Sequence, residues 1–460
     1  MTPGSRRQAD RTATAEIVVV GAGMVGPVAA MYLARRFGRV DVLEQRDDPR
    51  ASSADAVGAR SLTVILSARG WRVLDELGVA EAVRAACVPL RGRQAHLPDG
   101  REHFTPYSRN GDRIWAVERA SLHRVLLDAA QASPGVRLCF GEAVEVVEPD
   151  GPALVVRGPS GTHRVDCRLV IGCDGVHSPV RSALVTKGAG LRFHRLALGY
   201  QEIAISGGAA GGTTLARDAF HYWPRPPGLF GAFPTADGGF TGSLFLPLDG
   251  RPGSAYTAGA GAPALAARLF PDLAAAVPDL ADQVAQRPVN ALPTVRCDRW
   301  VWQGKLASVG DACHAMAPFM GQGMNCAFED ARLLDQCLGQ AEDWSTGLAD
   351  YQELRRQDAD AIVAISQEHY DTLVHPPVGA DAVEPALCQR LVDLFPERFA
   401  SLYERCAFSE DRYASLKQAD EAMRGLAEEL LRVYGPDLLS APDERMRRLV
   451  RRQATAAAPV

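Results

Sequence analysis

Three glycines and a glutamate near the start of the chain have the types and spacing that bind a dinucleotide. Gly21, Gly23 and Gly26 form G-x-G-x-x-G directly after the apolar segment "EIVVV". The first glycine permits a tight turn, the second lets the backbone approach a pyrophosphate, and the third lets the following helix pack closely. Glu44 ends the next apolar segment, where a carboxylate accepts hydrogen bonds from a ribose. The pattern favours dinucleotide binding over a generic turn between a strand and a helix.

Two further acids follow apolar segments in the same way. Asp174 and Gly175 come after "VDCRLVIGC", and Asp311 comes after "KLASVG". Both segments read as buried parallel strands, and open α/β sheets bind ligands at the carboxyl ends of such strands. We therefore expect these residues to contact the same ligand as the first motif, with Asp311 placed to hold the hydroxyl groups of a polyol.

The segment "HAMAPFMGQGMN" predicts that the ligand carries a flat ring. Pro318, Gly321 and Gly323 precede a helix that we expect to begin near Met324 and to include Asn325. A helix start presents unpaired N–H groups and partial positive charge, and these stabilise the negative charge that a reduced isoalloxazine carries at N1 and the C2 carbonyl. The three motifs together favour FAD over NAD. Taken alone, the segment is also compatible with a glycine-rich loop that caps a helix.

An α/β fold is needed to position these motifs. Residues 16–46 read as strand, helix and strand, and residues 120–132 as an amphipathic helix. Residues 190–250 alternate between apolar and polar with Gly and Pro turns, which predicts antiparallel strands. From residue 340 to about 435 the pattern is helical. The predicted fold class is α/β, with a Rossmann-like FAD-binding domain, an inserted antiparallel-sheet substrate domain and a C-terminal helical region.

The composition narrows the class of protein. The 460 residues contain 47% hydrophobic residues and carry a net charge of −5, which gives no indication of a nucleic-acid partner. Ile17–Ala34 carries no charge, but its internal Gly and Pro residues fit a strand and a helix better than a membrane anchor. Ten scattered cysteines without metal-type spacing favour free thiols and predict no metal site. We expect a cytoplasmic monomer or homodimer.

The three motifs together resemble the single-component flavin hydroxylases of the p-hydroxybenzoate hydroxylase fold. Within that group, several segments are similar to the kynurenine 3-monooxygenase family, among them "ARSLTVILSARGWRVLDELGV", "VERASLHRVLLDAA", "APFMGQGMNCAFED" and "FPERFASLYERCAFSEDRY". The resemblance implies that Asp174 and Gly175 serve both FAD and a transient NADPH or NADH, and that Gly310 and Asp311 hold the ribitol. A second G-x-G-x-x-G after a strand is missing from the sequence, which argues against the disulfide reductases with two nucleotide domains.

The resemblance also implies a substrate site. Arg93 and Tyr107 would bind the carboxylate of an amino-acid substrate, and Tyr403 would close the pocket. Arg93 and Tyr107 flank "LPDG", which predicts a hairpin at about residues 88–108. Arginine offers a bidentate fork to a carboxylate. The family pattern has an Asn where this chain has His369, so this residue still contacts the substrate, marks a different substrate, or lies on the helix surface. The cofactor residues are completed by Arg119, which would touch FAD, and by Arg46.

Predicted domain boundaries follow from the sequence patterns and from the family resemblance. They are 1–185 and 286–376 for the two parts of the FAD-binding domain, 186–285 for the substrate domain, and 377–460 for the helical region. Aromatic residues on the inserted strands and near Pro318 are candidates for a water-excluding lining. They are Phe220, Tyr222, Phe230, Phe233 and Phe319.

The expected reaction is hydroxylation of an aromatic substrate with O2 and NAD(P)H. The resemblance implies a flavin C4a-hydroperoxide and entry of oxygen ortho to the ring amine of kynurenine or a close analogue. The flavin carries the difficult chemistry, so no catalytic side chain is expected, His314 included. An indole, an anthranilate or a phenol is the alternative substrate. A flavin halogenase is disfavoured because "RWVWQG" lacks the Ile-Pro that would follow W-x-W, and a redox sensor without turnover is disfavoured by the pair Arg93 and Tyr107.

Overall fold

The computed structural model describes residues 12–51, 62–206, 215–248 and 261–456, and the structural statements below concern these residues. The first three residues of the quoted segment that begins at position 59 lie outside them. The strands are β1 (Thr12–Thr14), β2 (Ile17–Val20), β3 (Val40–Glu44), β4 (Thr63–Leu66), β5 (Cys87–Leu90), β6 (Gly92–His96), β7 (Glu102–Pro106), β8 (Ile114–Glu118), β9 (Val136–Phe140), β10 (Ala143–Glu148), β11 (Ala153–Gly158), β12 (Gly161–Asp166), β13 (Leu169–Gly172), β14 (Leu191–Ile205), β15 (Ala219–Arg225), β16 (Gly228–Pro234), β17 (Phe240–Pro247), β18 (Asn290–Cys297), β19 (Val301–Trp302) and β20 (Leu306–Ser308). The α-helices are α1 (Val25–Phe37), α2 (Ala68–Leu77), α3 (Ala80–Arg84), α4 (Arg119–Ala132), α5 (Pro179–Thr186), α6 (Gly261–Leu269), α7 (Pro271–Ala276), α8 (Leu280–Gln286), α9 (Asp311–His314), α10 (Gly323–Gln340), α11 (Trp344–Val374), α12 (Val383–Leu394), α13 (Leu402–Phe408), α14 (Tyr413–Tyr434) and α15 (Asp443–Ala456).

A six-stranded sheet in the order β19-β20-β13-β2-β3-β9 forms the centre of the nucleotide-binding part. Strand β2 pairs in parallel with both β3 and β13, and β13 pairs in parallel with β20. All four residues of β2 are buried, as expected for a parallel strand covered on both faces. The predicted strand–helix–strand unit at residues 16–46 and the α/β fold class are confirmed.

A seven-stranded sheet in the order β18-β14-β17-β16-β15-β6-β7 lies beside it. The pairs among β14, β15, β16 and β17 are antiparallel, as the alternation predicts. The hairpin β6–β7 extends this sheet, and β6 pairs with β15 in parallel, with Arg93 opposite Phe220. The sheet is therefore mixed rather than purely antiparallel, because the chain adds an edge hairpin that comes from far earlier in the sequence.

The C-terminal part is helical, and it continues further than the sequence pattern predicts. Helix α15 extends to Ala456, beyond the predicted end near residue 435. Helices α12, α14 and α15 share an apolar core of their own, built around Leu387, Leu391 and Leu430. Among the described helices, none is long and apolar enough to cross a membrane. The ten cysteines are free thiols.

Candidate active site

The polar turns singled out in the sequence lie side by side at one edge of the six-stranded sheet. Strands β20, β13, β2 and β3 are neighbours, and they are followed or ended by Asp311, Asp174, Gly21 and Glu44 respectively. Because the strands are parallel, their carboxyl ends form one continuous edge. Motifs that are up to 290 positions apart are thus brought onto one ligand-binding edge.

The glycines at this edge have the geometry that a bound dinucleotide needs. A side chain at Gly26 would place its Cβ 1.9 Å from the carbonyl oxygen of Gly21, so Gly26 serves close packing of α1 on β2. At Gly23 and Gly175 a Cβ would meet nothing within 4 Å, so the space in front of both backbones is open. Helix α1 begins there without a side-chain cap at Met24, which leaves its first N–H groups for an anion. The residues therefore fit FAD.

Glu44 is held by the turn that it is expected to serve. Its Oε2 accepts a hydrogen bond from the backbone N–H of Ala22 at 2.8 Å, and its Oε1 accepts one from the N–H of Arg46 at 3.0 Å. The ring Nε2 of His123 lies 2.6 Å from the carbonyl oxygen of Ala22. His123 was not a sequence candidate; its place on α4, within "VERASLHRVLLDAA", was the available signal.

Residues 310–323 follow β20, at the opposite end of the sheet edge from Glu44. Asp311 begins α9, and its side chain is exposed to the cavity, where desolvation by the surrounding protein raises the pKa of its carboxyl group. Gly321 has φ +64°, a conformation that favours glycine, and α10 begins at Gly323, one residue before the predicted start. This geometry agrees with a backbone that approaches a ligand closely.

The side chain of Asn325 is hydrogen-bonded within the protein. Its side chain is fully buried, with Nδ2 donating to the carbonyl oxygens of Ile65 at 2.8 Å and Gly321 at 2.9 Å. Its Oδ1 accepts from the N–H of Ser67 at 3.0 Å. The side chain of Asn325 thus ties the 310–323 segment to the end of β4.

A cavity of about 640 Å³ joins the sheet edge to the mixed sheet. All seven predicted substrate residues lie on its wall: Arg93, Tyr107, Tyr222, Phe233, Phe319, His369 and Tyr403. Eight predicted cofactor residues lie there too: Gly23, Arg119, Gly175, Asp311, Pro318, Gly321, Gly323 and Met324. Six others are placed off this wall among the described residues: Gly21, Gly26, Glu44, Arg46, Asp174 and Asn325.

Asp174 and Arg46 are two of those six. Asp174 Oδ2 accepts from the N–H of Val180 at 3.1 Å, and burial raises the pKa of its carboxyl group to about 6. It therefore holds the start of α5, while the adjacent Gly175 faces the cavity. Arg46 is exposed beside Glu44. The sequence motif correctly identifies this turn, but it does not show which residue of the turn lies on the cavity wall.

Four polar side chains from three distant parts of the chain meet at the end of the cavity that faces the hairpin; we call them the carboxylate pocket (Arg93, Tyr107, His369 and Tyr403). Arg93 Nη1 lies 3.5 Å from His369 Nε2, and the guanidinium carbon is 5.6 Å from the centroid of the Tyr403 ring. The rings of Tyr107 and Tyr403 are stacked at 5.2 Å. His369 comes from α11 and Tyr403 from α13, so two C-terminal helices complete a site begun by the hairpin.

Burial changes the acid–base properties of this pocket. Desolvation, together with the nearby Arg93, lowers the pKa of His369 to about 3, so its imidazole is neutral at physiological pH. Desolvation raises the pKa of Tyr107 well above its usual value and that of Tyr403 to about 12. Arg93 is therefore the cation of a pocket whose other three members are neutral.

The rest of the wall is largely apolar, and its members follow strand alternation. On β16, Leu229, Gly231 and Phe233 face the cavity. Phe230 points to the opposite side and is fully buried against helices α6 and α7, so it is wrong as a lining candidate. The strand residues Tyr200, Ser243 and Phe245 also line the cavity. They were missed, although their alternating positions along β14 and β17 were a usable signal.

Behind the 310–323 segment lies a buried charge network (Arg69, His314, Glu329, Asp330 and Arg355). Arg355 contacts Asp330 Oδ1 and Glu329 Oε2, each at 2.8 Å, and Arg69 contacts Glu329 Oε1 at 2.7 Å. His314 Nε2 lies 2.5 Å from Asp330 Oδ2. Burial alone would raise the pKa of Asp330, but His314 and Arg355 outweigh it and hold that pKa at about 2. The network binds α9, α10 and α11 together through paired charges.

Comparison with known proteins agrees with this geometry. Residues 14–224 and 272–366 match the family described as the FAD binding domain. The chain is 36% identical over 425 residues to kynurenine 3-monooxygenase of Myxococcus xanthus, with 90% of each chain covered. It is 36% identical over 409 residues to the enzyme of that name from Salinispora arenicola, which covers 86% of this chain and 89% of the relative.

Solved structures show the same fold. The chain is similar to a 2-methyl-3-hydroxypyridine-5-carboxylic acid oxygenase, with a TM-score of 0.64, 22% identity and coverage of 81% of this chain and 96% of that one. It is also similar to PqsL of P. aeruginosa in complex with 2-aminobenzoylacetate, with a TM-score of 0.62, 23% identity and coverage of 79% and 97%.

Proposed function

This chain belongs to the FAD-dependent monooxygenases related to kynurenine 3-monooxygenase, and on that premise we propose that it hydroxylates an arylamine with a side-chain carboxylate. Kynurenine or a close analogue is the proposed substrate, and the new hydroxyl group enters ortho to the ring amine. NADPH or NADH is the proposed reductant, and O2 supplies the oxygen atom.

One observation carries the proposal. The carboxylate pocket and the glycine-lined edge that fits FAD are parts of the wall of a single cavity. A ligand whose carboxylate pairs with Arg93 therefore has its ring in the same cavity as the 310–323 segment. Arginine binds carboxylates with two parallel N–H···O bonds, which fixes direction as well as position. The arrangement suits a reaction that depends on ring placement.

The residues that would hold FAD follow from the sheet edge. The start of α1 behind Gly23 would take the pyrophosphate, Glu44 the adenosine ribose, and Asp311 the ribitol. The start of α10 would face the pyrimidine side of the ring. The chemistry that FAD supplies when bound is the activation of O2 by electrons from the nicotinamide. The turn at Asp174 and Gly175 is proposed to receive that nicotinamide only transiently.

The chain's own part in the reaction is orientation and exclusion of water. Arg93, Tyr107 and Tyr403 would fix the carboxylate end, so that the ring amine and the adjacent ring carbon have one orientation. Phe233, Phe319 and their apolar neighbours would keep water from the reacting centre. Water there would divert the electrons of the reductant to the formation of H2O2 instead of product. The arylamine is activated by its own nitrogen, so the step needs no side chain as general base.

Turnover of the FAD-loaded protein tests the proposal. L-kynurenine, anthranilate, indole and phenol would each be added with NADPH or NADH under 18O2, and the consumption of reductant, the H2O2 formed and the product mass would be measured. The proposal predicts that an arylamine with a side-chain carboxylate stimulates reductant oxidation and gains one 18O atom with little H2O2. Oxygen insertion into anthranilate, indole or phenol, without insertion into kynurenine, would replace it with the alternative substrate class. Reductant oxidation that no substrate stimulates would contradict a hydroxylase.

A further inference from the structure

Two arginines lie directly opposite each other on neighbouring strands beside the active-site cavity. Strands β14 and β18 pair antiparallel, and their register places Arg192 opposite Arg296 and His194 opposite Thr294. Side chains that are directly opposite, or two positions apart on one strand, lie on the same face. These four residues therefore share one side of the two strands, which we call the ribbon face (Arg192, His194, Thr294 and Arg296). Arg192 and His194 are exposed, and the other two are half-buried.

The charges of the two arginines are not paired in the way that the protein pairs an exposed arginine elsewhere. On β11, Arg157 Nε lies 2.6 Å from Glu145 Oε1. Among the described residues, no carboxylate oxygen lies within 4.0 Å of the guanidinium nitrogens of Arg192 or Arg296. Like charges directly opposite each other destabilise a strand pair. An anion bound between the two arginines would therefore stabilise it.

The acid that follows on β18 does not remove this charge. Asp298 Oδ1 accepts a hydrogen bond from the backbone N–H of Gly190 at 2.7 Å. The carbonyl oxygen of Asp298 accepts one from Arg356 Nη1 at 3.1 Å, so a third arginine is close by. Arginine forks match the oxygens of a phosphate group, and an imidazole and a hydroxyl group add hydrogen-bond donors. The ribbon face thus has the donors and the charge of a phosphate site.

The position of the ribbon face indicates which ligand would bring the phosphate. Strand β18 lines the cavity with Ala291, Leu292 and Pro293, and Arg296 is three residues further along, about 10 Å away. The same strand contacts the 3-10 turn Gly175–His177, whose glycine is on the cavity wall. This turn is proposed above to receive the nicotinamide. A dinucleotide with its nicotinamide there can extend its phosphate groups along β18.

We propose that the ribbon face binds a phosphate group of the reductant, NADPH or NADH. The inference rests on the proposed function, because it names the contact that holds the nicotinamide dinucleotide of that reaction. The group is either the pyrophosphate, which both reductants carry, or the 2′-phosphate, which only NADPH carries. Two probes that differ only in the 2′-phosphate separate these sources.

Binding of ADP-ribose and of 2′-phospho-ADP-ribose tests the inference. Their Kd values would be measured by calorimetry on the oxidised, FAD-loaded protein. Arg192→Met and Arg296→Met should each weaken binding of 2′-phospho-ADP-ribose about tenfold, because each removes a charge-assisted contact to phosphate. An equal loss for ADP-ribose would assign the contact to the pyrophosphate, and no loss for ADP-ribose would assign it to the 2′-phosphate. Arg157→Met is the matched control and should leave both Kd values unchanged, because Arg157 already has its own carboxylate partner.

Thermal stability distinguishes a ligand contact from a structural one. Each variant removes one of two facing like charges, so the Tm measured without a probe should stay the same or rise. Unchanged Kd values for both probes in the two variants overturn the inference, as does a failure of the unmodified protein to bind either probe. Probe binding that depends on both arginines, in a protein that hydroxylates no substrate, would instead contradict only the proposed function.

Discussion

Two arginine side chains on either side of the 310–323 segment have opposite electrostatic surroundings: the charge of one is paired with carboxylates, and the charge of the other is not. In the buried charge network, Arg355 contacts the carboxylates of Glu329 and Asp330, each at 2.8 Å. In the carboxylate pocket, Arg93 is surrounded by a neutral imidazole and two neutral phenols. Burying a cation without a counter-charge is costly, and so the first arrangement holds the fold whereas the second favours an anionic ligand.

The largest effect should come from removing the cation of the buried charge network, and it should appear as a loss of stability. Arg355→Ala leaves two buried carboxylates without their shared cation, and we expect the free energy of unfolding to fall by about 3–5 kcal/mol. Urea denaturation monitored by circular dichroism measures it. Arg356→Ala, at an exposed position on the same helix, should change stability by less than about 0.5 kcal/mol. Equal losses in the two variants would mean that the network does not stabilise the fold.

Asp311 lies between the two regions, and its loss should act on the cofactor. Removing its carboxylate deletes a charged acceptor for the ribitol, worth up to about 3 kcal/mol, so Asp311→Ala should bind FAD roughly a hundredfold more weakly and purify largely colourless. The ratio of flavin to protein absorbance measures the effect, with Asp360→Ala on α11 as an exposed control. Full flavin content in Asp311→Ala would refute the assignment of Asp311 to the ribitol.

Arg93 should show the complementary behaviour on the unpaired side. Arg93→Met is expected to raise KM for a carboxylate substrate about tenfold to a hundredfold, because a hydrogen bond to a charged group contributes about 1.5–3 kcal/mol. Thermal stability and FAD content should stay near the unmodified values. Arg91→Met, at an exposed neighbouring position paired with Asp218, is the matched control. A lower Tm with an unchanged KM would show that Arg93 serves the fold rather than a ligand.

The smallest effect concerns the pH dependence of the network. Asp330 raises the pKa of His314 above 6.5 despite burial. The folded state therefore binds this proton more tightly than the unfolded state, and the stabilisation is present below about pH 6.5 and is lost as the pH rises through the folded pKa. The difference in Tm between the unmodified protein and His314→Gln should shrink as the pH rises above about 6.5. A difference that stays constant would mean that His314 is neutral.

The sequence predicts the sheet edge better than it predicts the pocket. Gly21, Gly23, Glu44 and Asp311 follow apolar segments, and parallel pairing then places them on one edge whatever the loop lengths are. Strand alternation also separates Phe233 from Phe230, but only once the face toward the cavity is known. Periodicity alone cannot supply that face.

The carboxylate pocket depends on packing between distant parts of the chain. Arg93 and His369 are 276 positions apart, and neither strand nor helix periodicity relates them. The resemblance to a family predicted that Arg93 and His369 lie close together, whereas the residue types alone did not. The orientation of Asn325 and the pairing of His314 with Asp330 have the same origin, since both follow from how α10 packs against β4 and α9.

A structure of the FAD-loaded protein with L-kynurenine tests the central claim most directly. The decisive quantity is the distance from the ligand's carboxylate oxygens to the guanidinium nitrogens of Arg93. We predict about 2.8 Å, with the aromatic ring facing the 310–323 segment. A carboxylate paired with Arg119 instead, and Arg93 left without contact to the ligand, would contradict the account.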